Sequence, residues 1–222
     1  GLKEGQRISI RYLIRAAAVK SANDAATALG EAVSGSEKKF AKAMTAQARA
    51  IGMKNTTFKN AHGLTAKGHL STARDMSILG RRLLYDYPEY YNLFSRRTAD
   101  AGLRTVPNTN RRLLANYKGA DGIKTGYTNA AGFNLVSSAE RGNKRIIATV
   151  FGGRTSAIRN ARVAELLDMG FNRAPNTYAD NVAPASPTRR VQLASASGPA
   201  KSNALTIRAP RAAANSPRPQ HR

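Results

Sequence analysis

Asp121-Gly122-Ile123-Lys124-Thr125-Gly126-Tyr127 sets a lysine, a hydroxyl and a glycine in a row within a stretch that reads as a β-strand. Lys124 offers a fixed positive charge, Thr125 a short donor, and Gly126 a place where no side chain obstructs a ligand lying along the backbone. A Lys-Thr-Gly triplet is also what a surface lysine at a strand end looks like. It gains weight from a second stretch far earlier in the chain, Ser21-Ala22-Asn23.

Working outward, residues 123–127, 133–139 and 145–151 alternate as strands, and Glu140-Arg141-Gly142-Asn143 turns the last two into a hairpin, so the sheet is antiparallel. A helix over residues 155–169 follows, with Ile158, Ala161, Val163, Leu166 and Leu167 to cover the sheet and Gly170 to stop it. Upstream, Ile10, Leu13, Ile14, Ala17 and Ala18 give residues 9–19 a helical period, with Ser9 placed as a cap. Ala25, Ala28, Leu29 and Ala32 do the same for residues 24–33, which Gly35 ends. Ser21 and Asn23 therefore stand in a turn fixed on both sides by helices. A third helix spans residues 37–50, stopped by Gly52. Its opening, Ser36-Glu37-Lys38-Lys39, matches S-x-x-K, in which a lysine could take a serine's proton, but Ser36 stands where an N-cap belongs and is read as one. Asn60-Ala61-His62-Gly63-Leu64 is a loop, and a helix beginning near Ser71 carries Met76, Leu79, Leu83 and Leu84 until Pro88. Residues 96–116 read as strand and loop.

The chain of 222 residues, 41% hydrophobic, can bury one substantial core with extensions. Its apolar runs, such as residues 146–151, are far too short to cross a bilayer, and its start, Gly-Leu-Lys-Glu-Gly, lacks the regions of a signal peptide. It has no cysteine, and its three histidines lack ligand spacing, so neither a structural metal nor a cofactor is expected. The formal charge of +23 raises nucleic-acid binding as a reading. However, only seven of the 36 Lys and Arg lie from Pro175 onward, the others fall mostly as isolated charges or pairs, and no aromatic platform accompanies them. A basic surface equally favours an acidic polymer or membrane headgroups. Seven of the nine prolines lie at or beyond Pro175, with Tyr178 the sole aromatic there, so residues 1–174 are read as the folded part and 175–222 as a disordered basic tail or linker.

Ser21-x-Asn23 and Lys124-Thr125-Gly126 resemble two of the three signature motifs of the penicillin-binding proteins and serine β-lactamases. Asn23-Asp24-Ala25, the loop from Asn60 to Leu64, Ser71-Thr72-Ala73-Arg74-Asp75-Met76, Asp121 to Gly126, Ala131-Gly132-Phe133-Asn134-Leu135 and Gly152-Gly153-Arg154-Thr155 narrow the resemblance to the serine D-alanyl-D-alanine carboxypeptidases, over about residues 1–173. The resemblance implies an α+β fold of the β-lactamase/DD-peptidase kind, a helical cluster with an antiparallel sheet and a C-terminal helix. It departs at the family's first motif, the S-x-x-K of the nucleophilic serine and its lysine, which precedes the serine-x-asparagine motif. Only twenty residues precede Ser21 and none forms it. The expectation is an N-terminally truncated domain without that helix or the first strands, inactive by itself.

The resemblance further implies that Ser21 relays a proton, Asn23 holds the substrate amide, and Lys124 and Thr125 bind the terminal carboxylate beside Gly126. Tyr127 would give a backbone N–H to the oxyanion hole, and Arg159, or failing it Arg154, would assist the carboxylate. The implied partners are a peptidoglycan stem peptide ending in D-Ala-D-Ala and, for a full-length parent, β-lactams. Specific nucleic-acid binding is not implied, and the implied place is the periplasm or cell envelope, with peripheral membrane association compatible with the charge. Two other readings stay open at this point: a non-catalytic peptidoglycan- or partner-binding module, and a basic nucleic-acid binder.

Overall fold

In the computed structural model, which describes residues 1–175 and 204–207, the chain opens with β1 (Arg7–Ser9) and α1 (Ile10–Arg15), and α1 passes into a π-helical turn (Ala16–Lys20). Then come α2 (Asn23–Ser34), α3 (Glu37–Ala50), α4 (Ala73–Asp86) and the short α5 (Pro88–Tyr91). A small hairpin of β2 (Thr98–Asp100) and β3 (Thr105–Pro107) leads into α6 (Arg111–Asn116). The main sheet follows as β4 (Ala120–Thr128), β5 (Gly132–Arg141) and β6 (Lys144–Gly153), then α7 (Ser156–Arg173) and, after undescribed residues, β7 (Ala204–Thr206).

The main sheet is antiparallel in the order β4-β5-β6, so β4, which carries Lys124, is an edge strand. Neighbouring residues of a strand face opposite sides, and two helices use this. On one face α7 presents Val163, Leu167 and Phe171, one turn apart, to Leu135, Ala139 and Ala148. Burial of each such large side chain stabilises by about 1.5–3 kcal/mol. On the other face α4 lies against Ile123, Val136 and Ile147, and Ser77 and Thr149 share a 2.7 Å hydrogen bond between their hydroxyls. A Cβ on Gly80 would stand 2.8 Å from Ile123 Cδ1, so the glycine is what lets α4 come this close. A second cluster joins Val19, at the π-turn, to Leu93, Ala99, Ala101 and Val106. A third joins Ile8, Leu13, Ala25 and Ile207.

Several expectations need correction. The helix expected over residues 9–19 becomes π-helical at Ala16, and of its apolar stripe Leu13 is buried while Ile10 and Ile14 are exposed. Residues 111–116 are helical rather than strand or loop, because Leu113 can enter the core beneath α7. Ile158 is exposed, and the buried stripe of α7 runs Arg159, Val163, Leu167, Phe171. Gly170 does not end α7, which continues to Arg173; the glycine serves close approach, since a Cβ there would meet Ile146 Cγ2 at 2.6 Å. Within the stretch expected to be a disordered tail, Ala204–Thr206 pairs antiparallel with Arg7–Ser9 and Ile207 is buried with Ile8 and Leu13, which repays ordering this segment. Residues 176–203 and 208–222 lie outside the described residues, and with them the rest of that expectation.

Gly170→Ala tests the close approach. Helix propensity alone would favour alanine by about 1 kcal/mol, whereas overpacking against the branched Ile146 costs about 1–3 kcal/mol. Thermal unfolding is expected to show net destabilisation, and a variant melting at or above the unsubstituted chain would remove the packing argument.

Candidate functional site

The π-turn determines where Ser21 points. Its backbone N–H bonds to the Ala16 carbonyl, five residues back, and Ser21 closes the turn at φ 62° and ψ 42°, the only non-glycine residue at positive φ among the described residues. This left-handed conformation costs an L-residue about 1–2 kcal/mol and persists only where surroundings enforce it. Ala22 occupies the N-cap of α2 without a side-chain bond, so Ser21 does not cap that helix and its hydroxyl is free for another partner. That partner is Lys124. Its ammonium donates to Ser21 Oγ across the cleft and to the Thr125 carbonyl at 3.0 Å.

β4 holds the lysine in place from below. Asp121, three residues earlier, accepts from Ser138 and Arg145, and Arg145 also pairs with Glu140. The Tyr91 hydroxyl meets Ser138, and burial pushes that phenol up to about 12, so it stays a neutral hydrogen-bonding group. The Gly122 carbonyl accepts from Ser137 Oγ at 2.7 Å and from Asn110 Nδ2 at 3.3 Å. Lys124 is the register partner of Val136 on β5. Burial pushes its pKa down to about 8. No carboxylate among the described residues forms an ion pair with it. The partners of this partly buried ammonium are a hydroxyl and a carbonyl.

Of the other anticipated residues, Thr125 is beside the lysine, and its hydroxyl donates to Thr109 Oγ1 at 2.7 Å. Gly126 is exposed on the edge strand, where an added Cβ would meet only Asn134 Cβ, at 3.8 Å. Tyr127 is also exposed; its ring lies 4.4 Å from that of Phe133 and its hydroxyl donates to Asn129. Asn23 begins α2 two residues after Ser21, exposed, with no side-chain hydrogen bond among the described residues. Arg159 is not brought to the lysine. It belongs to the buried stripe of α7, donating to the Asn134 carbonyl at 3.1 Å and to Asn160 Oδ1, and Asn134 is the register partner of Gly126. Burial lowers its pKa. Arg154 is exposed.

His62 folds into its own loop, where Nδ1 accepts from Leu64 N–H and Nε2 faces Glu37 at 3.4 Å. Ser36 Oγ accepts from Lys39 N–H as the cap of α3, so this S-x-x-K is a helix start and not a nucleophile with its base. Sequence reading missed Thr109, Asn110 and the support beneath Asp121. The only available signal was the polar run Asn108-Thr109-Asn110 ahead of the strand.

A strand-edge lysine held against a serine in a turn between helices, over an antiparallel sheet backed by a terminal helix, defines the class of the penicillin-binding fold. Penicillin-binding protein D2 of Listeria monocytogenes, in its ampicillin-bound form, superposes with a TM-score of 0.69 at 32% identity, covering 77% of this chain and 78% of that one. The D-alanyl-D-alanine carboxypeptidase DacD of Francisella tularensis gives 0.72 at 31% identity, covering 77% and 54%. The chain belongs to the peptidase S11 family, D-alanyl-D-alanine carboxypeptidase, whose family profile matches residues 1–155. The D-alanyl-D-alanine carboxypeptidase DacF of Bacillus subtilis is 42% identical over 177 residues, 78% of this chain and 45% of that protein. DacC of Escherichia coli is 41% identical over 170 residues, 77% and 42%. The chain thus spans less than half the length of these two relatives.

Two substitutions test whether this geometry is imposed. Ser21→Gly and Ser21→Ala both delete the hydroxyl, but only glycine is relaxed at φ 62°, so the glycine variant is expected to be about 1 kcal/mol more stable than the alanine variant in denaturant titration. Equal stabilities would show that the turn stores no strain. Lys124→Met replaces a desolvated cation without an ionic partner and is expected to raise stability by about 1–3 kcal/mol near neutral pH. A loss of that size would make Lys124 an ordinary structural lysine.

Proposed function

We propose that the chain carries the carboxylate-binding and proton-relay side of a serine D-alanyl-D-alanine carboxypeptidase site, which trims peptidoglycan stem peptides in the cell envelope. The single observation that carries this is the Lys124 ammonium, partly buried, without a carboxylate partner among the described residues, and held on the Ser21 hydroxyl. A peptide ending in D-Ala-D-Ala brings the missing anion, its terminal carboxylate, to Lys124 and the Thr125 hydroxyl through charge-assisted hydrogen bonds. The peptide backbone lies along the edge of β4, where Gly126 leaves the path open. Asn23 takes the substrate amide, and the Tyr127 backbone N–H contributes to the oxyanion hole. Arg159 acts behind β5, through its hold on Asn134 opposite Gly126.

In acyl transfer the leaving amine must receive a proton. The Ser21 hydroxyl accepts a bond from Lys124 and can donate its own proton at the same time, so it is placed to pass one onward. A lysine near 8 gives and regains protons close to neutral pH more readily than an ordinary one. The attacking serine that the resemblance assigns to an S-x-x-K helix is not among these 222 residues, because the sequence's one match to that pattern, Ser36 to Lys39, caps α3. The site residues here bind and orient, and the proposed turnover requires that serine to be supplied. β-Lactams, whose carboxylate resembles that of the peptide terminus, are expected at the same lysine. Peripheral association with the envelope fits the net charge of +23, and no helix among the described residues is long and apolar enough to cross a membrane.

Binding of N-acetyl-D-Ala-D-Ala to the chain, followed by amide shifts of residues 122–127, tests the reading. Lys124→Ala is expected to weaken binding by about 10- to 100-fold, the range for a hydrogen bond to a charged group. Affinity should be highest below pH 8 and fall as the pH rises through 8, because the dipeptide stays anionic while Lys124 loses its charge. Binding of equal strength at pH 7 and pH 10, or unaffected by Lys124→Ala, would overturn the assignment.

A further inference from the structure

The loop before α6 connects the two halves of the site through one residue. Asn108 and Asn110 are each 2% exposed, while Thr109 between them is exposed. Asn108 donates from Nδ2 to the Phe94 and Arg96 carbonyls at 3.2 and 2.8 Å, its backbone N–H bonds to the Arg97 carbonyl, and its Oδ1 accepts from Asn110 N–H at 2.7 Å. Asn110 reaches the Gly122 carbonyl two residues before Lys124, while its own Oδ1 is buried without a partner. The backbone on either side of Thr109 is therefore fixed by buried side chains, and the threonine is presented outward from a rigid support.

Both polar ends of Thr109 are then used on different structures. Its N–H bonds at 3.1 Å to the Val19 carbonyl, in the π-turn two residues before Ser21. Its hydroxyl accepts from the Thr125 hydroxyl at 2.7 Å, next to Lys124. We propose that Thr109 is a positioning residue of the Lys124–Thr125 anion subsite: it sets the separation of the Ser21 turn from the lysine strand and orients the Thr125 hydroxyl. This rests on the carboxylate-binding reading given above.

The Thr125 hydroxyl proton is directed to Thr109. When a carboxylate arrives, the Thr125 O–H turns to it and the Thr109 hydroxyl, which donates as readily as it accepts, supplies a proton to the Thr125 oxygen. A hydroxyl that accepts one hydrogen bond donates a stronger one, so Thr109 strengthens the contact to the anion without touching it. Valine at position 109 keeps the shape and the backbone bond to Val19 but ends this exchange. Serine restores the exchange with less bulk.

The test compares the chain with Thr109→Val and Thr109→Ser, using N-acetyl-D-Ala-D-Ala and its C-terminal amide as probes and the titration midpoint of isotope-labelled Lys124 Nζ as a ligand-free readout. Where the unsubstituted chain binds the dipeptide, affinity decides. Thr109→Val is expected to bind about tenfold more weakly, as for a lost charge-assisted bond, with Thr109→Ser within about twofold of the parent and the amide probe insensitive to the substitution. Equal binding by the valine variant, or failure of serine to restore it, overturns the proposal. Where the unsubstituted chain does not bind the dipeptide, the carboxylate reading fails and the titration decides. A Lys124 midpoint that rises toward the ordinary lysine value in Thr109→Val and returns in Thr109→Ser upholds the positioning role; an unmoved midpoint overturns it.

Discussion

Holding a lysine ammonium partly out of water against a serine hydroxyl, with no carboxylate among the described residues to balance it, is a costly arrangement, and much of the surrounding structure is explained by how it is maintained. A long flexible lysine would ordinarily bury its stem and keep its charge in solvent. Lys124 is prevented from doing so from two directions. Asp121 and the Gly122 carbonyl pin the strand immediately before it. The π-turn brings Ser21 over it in a conformation a serine does not choose freely.

These devices are opposite in sign for stability. The Asp121–Arg145–Ser138–Tyr91 network satisfies its buried polar groups and so can stabilise the sheet edge. The strained Ser21 and the desolvated Lys124 both subtract from stability. A residue that subtracts from stability, and is nonetheless held by several independent elements, is better explained by binding than by folding. That inference does not depend on resemblance to other proteins. It also weighs against a nucleic-acid role for this face, because phosphate-binding lysines act as solvated charges spread along a surface, whereas this one is confined to a single small cleft.

What the sequence disclosed follows from the range of the interactions involved. α3 begins at Glu37 and ends at Ala50 as read, because a cap at Ser36 and an apolar period are local properties. The three strands and the lysine stretch were legible for the same reason. The π-turn was not: residues 16–20 are ordinary helix formers, and what diverts them is packing of Val19 against Leu93, Ala99 and Val106, far along the chain. Gly170 shows the same limit from the other side. A glycine late in a helix looks like a stop, and only the presence of Ile146 across the interface reveals that it is a contact. Ser21 and Lys124 could be named from their motifs, yet nothing local shows that the two touch or that Thr109 stands between their supports.

The distribution of acidic residues completes the electrostatic argument. Asp24 is taken by the N-terminal amine, Asp121 and Glu140 by Arg145, Asp168 by Arg141, Asp86 by Arg82 and Glu165 by Arg162. Asp75 is buried among the Thr56 hydroxyl and the Asn55 and Thr72 groups. Six of the thirteen Asp and Glu are thus ion-paired where they stand, and among the described residues no carboxylate pairs with Lys124. A basic excess that leaves the desolvated Lys124 without an ion pair among the described residues concentrates positive potential at that point, since burial weakens the screening that solvent would provide. In the proposed role, an anionic peptide terminus entering the cleft would meet that potential first and the fixed hydroxyls second. On that proposal attraction supplies the encounter, while the placement of Ser21, Thr125 and Thr109 supplies the orientation.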